Sequence, residues 1–283
     1  MPNFDIVPFD DMAALEHALA HPHVAGFMVE PIQGEAGVIL PSPGYLPAAA
    51  ALCKKHNVLF VADEVQTGLG RTGALLACHS AGVRPDILCL GKALGGGLYP
   101  VSAVLADDPV MLTIRPGTHG STWGGNPIAC AVASEALRVV VDEKLSENAF
   151  AVGELMRAEL RALAAKSEGR IAAVRGAGLL NAMVIKPQPN AGLDAWQFCL
   201  RLAHNGASMH HSAPHDDHHA AIAQAPCVGC RLIAHASFWR APAGMITKPT
   251  QDVVVRLAPP LTLTAAQCLE MVDIIGTTLR SFD

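Results

Sequence analysis

Apolar and polar positions along this chain switch repeatedly between a helical and a strand period, and the switches mark its elements. From Asp10 to His21 the apolar residues Met12, Leu15 and Leu19 keep helical spacing, with Asp10 or Asp11 as the cap. Val24 to Val29 is an apolar run of strand length, ended by Glu30-Pro31 and followed by a glycine-punctuated loop from Ile32 to Val38. Tyr45 to His56 is alanine-rich and helical, with Asn57 as a left-handed stop. Val58 to Ala62, Asp86 to Leu90 and Val101 to Ala106 are further buried-strand runs, and Phe4 to Phe9 reads as a strand at the start of the chain. Strand, helix and strand with polar strand ends predict an α/β fold whose sheet has parallel members.

The pattern changes after Asn126. A long helix runs to about Asp142, another from Leu145 to Ala165, and two strand-like pieces lie between Ile171 and Ile185 around Arg175-Gly176-Ala177-Gly178. A helix from Trp196 to Asn205 stops at Gly206, and a final strand (Val253 to Leu257) and helix (Ala265 to Phe282) follow. The expected division is 1–142 and a smaller α+β domain at 143–283. Residues 207–244, rich in His, Ala, Pro and Cys and without a period, predict an irregular insert. Its Cys227-Val228-Gly229-Cys230 has the spacing of half a zinc site. However, His210, His211, His215, His218, His219 and His235 lack the paired helical spacing of a finger, so no metal is expected. Translated non-coding sequence is another reading of the insert.

Composition narrows the function. With 283 residues, 51% of them hydrophobic, the chain can bury a large core. A formal charge of -5 offers no basic field to nucleic acid or to an anionic membrane. No apolar stretch approaches the roughly 18 residues of a membrane span. Eight irregularly spaced cysteines predict reduced thiols rather than a disulfide framework. The amino terminus has neither signal-peptide nor transit-peptide character. The cytoplasm is the default expectation, and mitochondria are expected if a targeting segment belongs to a longer chain.

One lysine stands out. The apolar run after Pro85-Asp86 closes at Gly91, so Lys92 falls at a strand's carboxyl end, where functional side chains collect in open α/β sheets. Gly95-Gly96-Gly97 lets backbone approach a bulky group, and apolar neighbours around Lys92 would desolvate its amine, as Schiff-base chemistry requires. Asp63 ends the preceding strand, and Gln66 converges with it only if the strand stops there. A lysine and a carboxylate on two strand ends predict pyridoxal phosphate. Lys92 binds its aldehyde, Asp63 keeps the ring nitrogen protonated, and Gln66 donates to the phenolic oxygen. The plainer alternatives are a solvated Lys92 and an Asp63 that caps the next turn. Gly68-Leu69-Gly70-Arg71-Thr72-Gly73 matches a dinucleotide fingerprint, but Asp63 and Glu64 sit where a pyrophosphate needs helix amides, and no apolar helix opens within it.

Four segments carry a resemblance: Val29 to Gly37, Ala62 to Gly68, Leu90 to Leu94 and Gly120 to Pro127. In this order and spacing they resemble the signature of class III aminotransferases. Gly97 to Leu105, Arg175 to Ala182 and Lys248 to Leu261 are most similar to the ornithine-using branch of that class. The resemblance implies a fold-type-I pyridoxal-phosphate transferase that moves the δ-amino group of ornithine to 2-oxoglutarate. Acetylornithine and 4-aminobutyrate are the alternative donors. It implies that Lys92 bonds the cofactor and shuttles the proton, that Asp63 and Gln66 hold the ring, and that Ser121 and Thr122 reach the cofactor phosphate of the other subunit of a homodimer. It further implies that Arg256 binds a substrate carboxylate while Glu35 neutralises it when ornithine is bound. Trp123 stands where the family usually has tyrosine. The family also carries a longer amino-terminal part with the cofactor-phosphate cup and the ring-stacking aromatic. The expectation is therefore an incomplete large-domain mixed sheet, with a catalytically silent truncated fragment as the alternative to an enzyme.

Overall fold

The computed structural model describes residues 3–209, 240–241, 244–245, 247–250 and 252–283. The chain forms two compact units, Met1–Gly34 with Ile39–Glu147, and Glu35–Val38 with Asn148–Asp283.

In the first unit, Asp11 Oδ1 accepts the Ala14 N–H and caps helix α1 (Met12–Leu19), which buries Leu15 and Leu19. Strand β1 (Gly26–Val29), helix α2 (Tyr45–Lys55) and strand β2 (Leu59–Asp63) follow, with Asn57 at φ 56° supplying the left-handed turn after α2. Beyond the short helix α3 (Ala77–Ser80) come β3 (Ile87–Leu90), a 3-10 turn (Lys92–Gly95), β4 (Ala103–Ala106), the short α4 (Asp108–Met111) and α5 (Pro127–Asp142). The sheet order is β1-β2-β3-β4, parallel for the first three and antiparallel for β4. Its core joins Leu15 and Leu19 to Leu46, Ala49 and Cys53 of α2 and to Phe60 and Ala62 of β2. Asn126 caps α5 by accepting the Ala129 N–H.

Phe4 to Phe9 departs from expectation, since it forms no strand. Pro8 lacks the N–H a ladder needs, and Val7 and Phe9 instead pack singly on the core, Phe9 with its ring edge-on to Tyr45.

The second unit takes in α6 (Leu145–Ala165), the hairpin β5 (Ile171–Ala177) and β6 (Leu180–Ile185), and α7 (Ala195–Met209). Two-residue strands β7 (Arg240–Ala241) and β8 (Gly244–Met245) pair with each other. Strands β9 (Lys248–Thr250) and β10 (Val254–Leu257) and helix α8 (Ala265–Arg280) complete it. The second sheet is antiparallel in the order β5-β6-β10-β9. Helix α7 runs through Gly206, its expected stop, because one interior glycine costs only about 1 kcal/mol and buried Phe198 and Leu202 anchor the helix.

The β5–β6 turn is clamped from α6. Arg157, 3% exposed, donates to the Gly178 carbonyl (2.8 Å) and to Asn181 Oδ1 (2.6 Å), and Asn181 Nδ2 donates to the same carbonyl (3.0 Å). Helix and turn approach so closely that a Cβ on Gly153 would lie 1.9 Å from the Gly178 oxygen. Gly153→Ala is expected to cost about 2 kcal/mol through overpacking, read as a lower urea midpoint at unchanged m-value.

Among the described residues, four cysteines are buried: Cys53, Cys78, Cys199 and Cys268. Burial pushes the Cys53 and Cys268 thiols up to about 11 and Cys199 up to about 12, while burial and the nearby Glu64 carboxylate raise Cys78 as well. A thiol in the unfolded chain ionises near about 8.5, so it loses its proton first. The contribution of these thiols is therefore complete below that pH and is lost as pH rises towards their folded values. Urea midpoints are expected to fall above about pH 9, with a shallower fall in a Cys53→Ala, Cys268→Ala double variant.

Candidate active site

Strands β2 and β3 run parallel with Asp63 opposite Cys89, so their carboxyl ends lie side by side. The side chains of β2 alternate, and Phe60 and Ala62 point inward. The alternation continues one residue past the strand, which puts Glu64 inside at 1% exposure. There its Oε2 accepts from Thr67 Oγ1 (2.6 Å) and the Ala77 N–H (3.0 Å), and its Oε1 accepts from the Cys78 N–H (2.7 Å). Its own N–H donates to the Cys89 carbonyl (3.0 Å), and its carbonyl accepts from the Gly68 N–H (2.9 Å).

Asp63 takes the opposite parity and is half-buried. Its Oδ1 accepts the Val65 N–H at 3.1 Å, which is the turn-capping role, and burial, with the Asp63 charge second, raises the Cys89 thiol. Gln66 lies against the loop that follows β1, since a Cβ on Gly34 would fall 2.0 Å from Gln66 Oε1. Glu30 Oε2 holds that loop by accepting the Gly34 N–H at 3.0 Å.

Lys92 opens the 3-10 turn in a left-handed conformation, φ 43°, a sparsely populated region for a lysine and a mark of functional sites. Leu94 is buried with Leu69 and Leu90, which fixes the turn. Lys92 lines an open cavity of about 430 Å³ with Pro100, Val101 and Ser102. The expected desolvation by apolar neighbours is not what the structure shows: Lys92 is exposed, because the buried residues of its turn are Leu94 and Gly95. Ser121 and Thr122 lie in an exposed turn before α5, where Ser121 Oγ accepts the Gly124 N–H at 2.9 Å.

The dinucleotide reading of Gly68 to Gly73 fails on geometry. That stretch is a run of turns and bends, the next helix opens only at Ala77, and Glu64 accepts that helix's first N–H groups.

In the second unit, Glu35 forms an ion pair with Arg256 of β10. The Arg256 side chain is 18% exposed and the Glu35 side chain 57%. Thr247 Oγ1 donates to the Arg256 carbonyl (2.8 Å). Arg175 of β5 donates through Nε and Nη2 to the Gly37 carbonyl (3.1 and 2.8 Å) and through Nε to the Val38 carbonyl (3.1 Å). Sequence reasoning missed Glu64 and Arg175. Continuing the β2 alternation past Ala62 would have found the first, whereas no local signal marks the second. The insert histidines and Cys227 and Cys230 lie outside the described residues.

Asp63 ends β2, Lys92 follows its parallel neighbour β3, and Gln66 lies in the turn after β2. The family model for class III aminotransferases matches residues 7–219, and the chain belongs to that family. Over 282 residues it is 48% identical to the mitochondrial ornithine aminotransferase of Rattus norvegicus, covering all of this chain and 54% of that protein. It is 46% identical to the ornithine aminotransferase of Plasmodium falciparum, of which it covers 58%. Among solved structures it resembles Plasmodium falciparum ornithine delta-aminotransferase (TM-score 0.82, 46% identity, all of this chain and 63% of that one). It also resembles acetylornithine aminotransferase from Elizabethkingia anophelis (TM-score 0.81, 48% identity, 99% and 60%). The chain thus spans about half the length of the curated relatives it matches. Among the described residues no helix is long and apolar enough to cross a membrane.

Glu64→Ala leaves two buried N–H groups and a hydroxyl without their acceptor and is expected to cost about 3 kcal/mol, whereas Glu64→Gln, which keeps one acceptor, should cost less. Equal urea midpoints for the two variants would contradict this account of Glu64.

Proposed function

We propose that this chain carries the lysine-bearing part of an aminotransferase that moves the δ-amino group of ornithine to 2-oxoglutarate. In this reading residues 1–142 form the cofactor side and 143–283 the smaller domain. The donor set at the ends of β2 and β3 fits pyridoxal phosphate: an amine at Lys92, a carboxylate at Asp63 and an amide at Gln66. When bound, that cofactor supplies a reactive carbonyl and an electron-withdrawing ring.

Lys92 Nζ would hold the cofactor through its carbonyl carbon and, when free, would carry a proton at Nζ. Asp63 would keep the ring nitrogen protonated, and Gln66 would donate to the ring oxygen. Ser121 and Thr122, exposed before α5, would hold the cofactor phosphate of a second copy in a homodimer.

The observation that carries the choice of substrate is the Glu35–Arg256 pair. An arginine masked by a carboxylate that an incoming anion can displace suits a site that must take an amine with no second carboxylate in one half-reaction and a dicarboxylic oxoacid in the other. The oxoacid displaces Glu35 and takes a two-pronged contact from the guanidinium. Acetylornithine is the second reading for the donor, favoured by the likeness to the Elizabethkingia enzyme.

Purified chain incubated with pyridoxal phosphate and borohydride is expected to carry the label on the Lys92 peptide. Lys92→Ala should abolish the label and lower any turnover of ornithine by at least about a thousandfold. Uptake equal to that of the variant would sink the proposal, and faster turnover of acetylornithine would reassign the donor.

A further inference from the structure

The strands of the second sheet place two arginines in one row. Arg175 on β5 lies opposite Ala182 of β6, and Arg256 on β10 lies opposite the same Ala182 from the other side. Directly opposed residues of an antiparallel ladder share a face, so both arginine side chains leave the same side of the sheet, their Cα atoms two strand spacings or roughly 10 Å apart. Ala182 between them is fully buried and too short to separate them.

Both arginines grip one segment, Glu35–Val38. Arg256 takes the Glu35 carboxylate, and Arg175 takes the carbonyls of Gly37 and Val38. The backbone is strained where Arg175 holds it. Gly37 sits at φ 108° and Val38, a β-branched residue, at φ 55°, a conformation such residues almost never adopt without support. Val38 is fully buried, which with the Arg175 fork supplies that support.

We propose that Arg175 is a positioning residue: by holding the Gly37 and Val38 carbonyls it keeps Glu35 on Arg256 and so sets how readily a substrate carboxylate gains access to Arg256. The inference rests on the substrate reading above. Glu35 competes with an incoming carboxylate for Arg256, so the apparent affinity for an oxoacid falls with the fraction of time Glu35 is seated. Arg175 sets that fraction without touching substrate. Lysine in its place keeps the charge but loses the two-point fork.

The test follows the Arg256 side-chain N–H by nitrogen-15 NMR in the full chain, with Arg256→Lys identifying the signal. Glu35→Gln is expected to speed its exchange with water about tenfold, and Arg175→Lys to do nearly the same with Glu35 and Arg256 intact. The 2-oxoglutarate concentration needed to shift the signal should fall about fivefold in Arg175→Lys. Gly37→Ala provides a second route with Arg175 untouched. Its new Cβ would sit 3.2 Å from Arg175 Nη2 at an unfavourable φ, and it should give the same two changes.

Faster exchange in Glu35→Gln with parental behaviour in both Arg175→Lys and Gly37→Ala would overturn the inference and leave the substrate reading standing. Faster exchange in the Arg175 variant at an unchanged oxoacid requirement would overturn its role in carboxylate access. No response to Glu35→Gln, or none of the parent signal to 2-oxoglutarate, would overturn the substrate reading and the inference with it.

Discussion

A buried carboxylate organises the first unit. Glu64 enters the interior because β2 carries its alternation one residue beyond its last ladder pair, and an acid there is tolerable only with its oxygens bonded. Three donors meet that need, two of them N–H groups at the start of α3, where a helix terminus favours negative charge. The same residue's backbone joins the end of β2 to β3 and closes the turn on Gly68. Asp63 precedes it, Gln66 lies within the turn it closes, and Lys92 follows β3. Glu64 thus ties the strand end that carries Asp63 and the turn that carries Gln66 to the strand that precedes Lys92, with its own side chain on the opposite parity to Asp63.

The second unit depends on register. A one-residue slip of β6 against either neighbour would carry an arginine to the opposite face and release one end of the Glu35–Val38 segment. The register is pinned beside the row by the two-residue turn at Gly178 and Leu179, with Gly178 left-handed at φ 52°, and by the Arg157 bonds to Gly178 and Asn181. Burial of β6 on both faces pins it further, since Leu180 to Met183 are all fully buried. The clamp on α6, which has no chemistry of its own, thus fixes where the two arginines stand.

Much of this was legible in the sequence, for local reasons. Helix α6 and the end of α5 fall where periodicity put them, and Asn126 and Asn57 act as the cap and the left-handed stop their residue types suggest. The strands and their polar ends were visible because a buried parallel sheet writes continuous apolar runs. What was not legible depends on distant partners. Nothing near Glu35 says that its four-residue segment belongs with strands more than a hundred residues away, and nothing near Gly153 says that a carbonyl will lie where its side chain would go. The Phe4 to Phe9 strand was over-read for the complementary reason, since alternation alone cannot say whether a neighbour exists to pair with.

Lys92 separates two demands that sequence reasoning had merged. A lysine that bonds a carbonyl must be aimed, and it must give up a proton near neutrality. Aim is built into the first unit: Leu94 is buried against Leu69 and Leu90, Gly91 lies close to Val65, and the strained φ at Lys92 persists because those contacts over-determine it. Lys92 is exposed there and lines the cavity shared with Pro100, Val101 and Ser102. A cofactor filling that cavity would exclude water from around the lysine. Under the proposed reading, the unit would fix the lysine's direction in its backbone and leave the exclusion of water to the group that occupies the site.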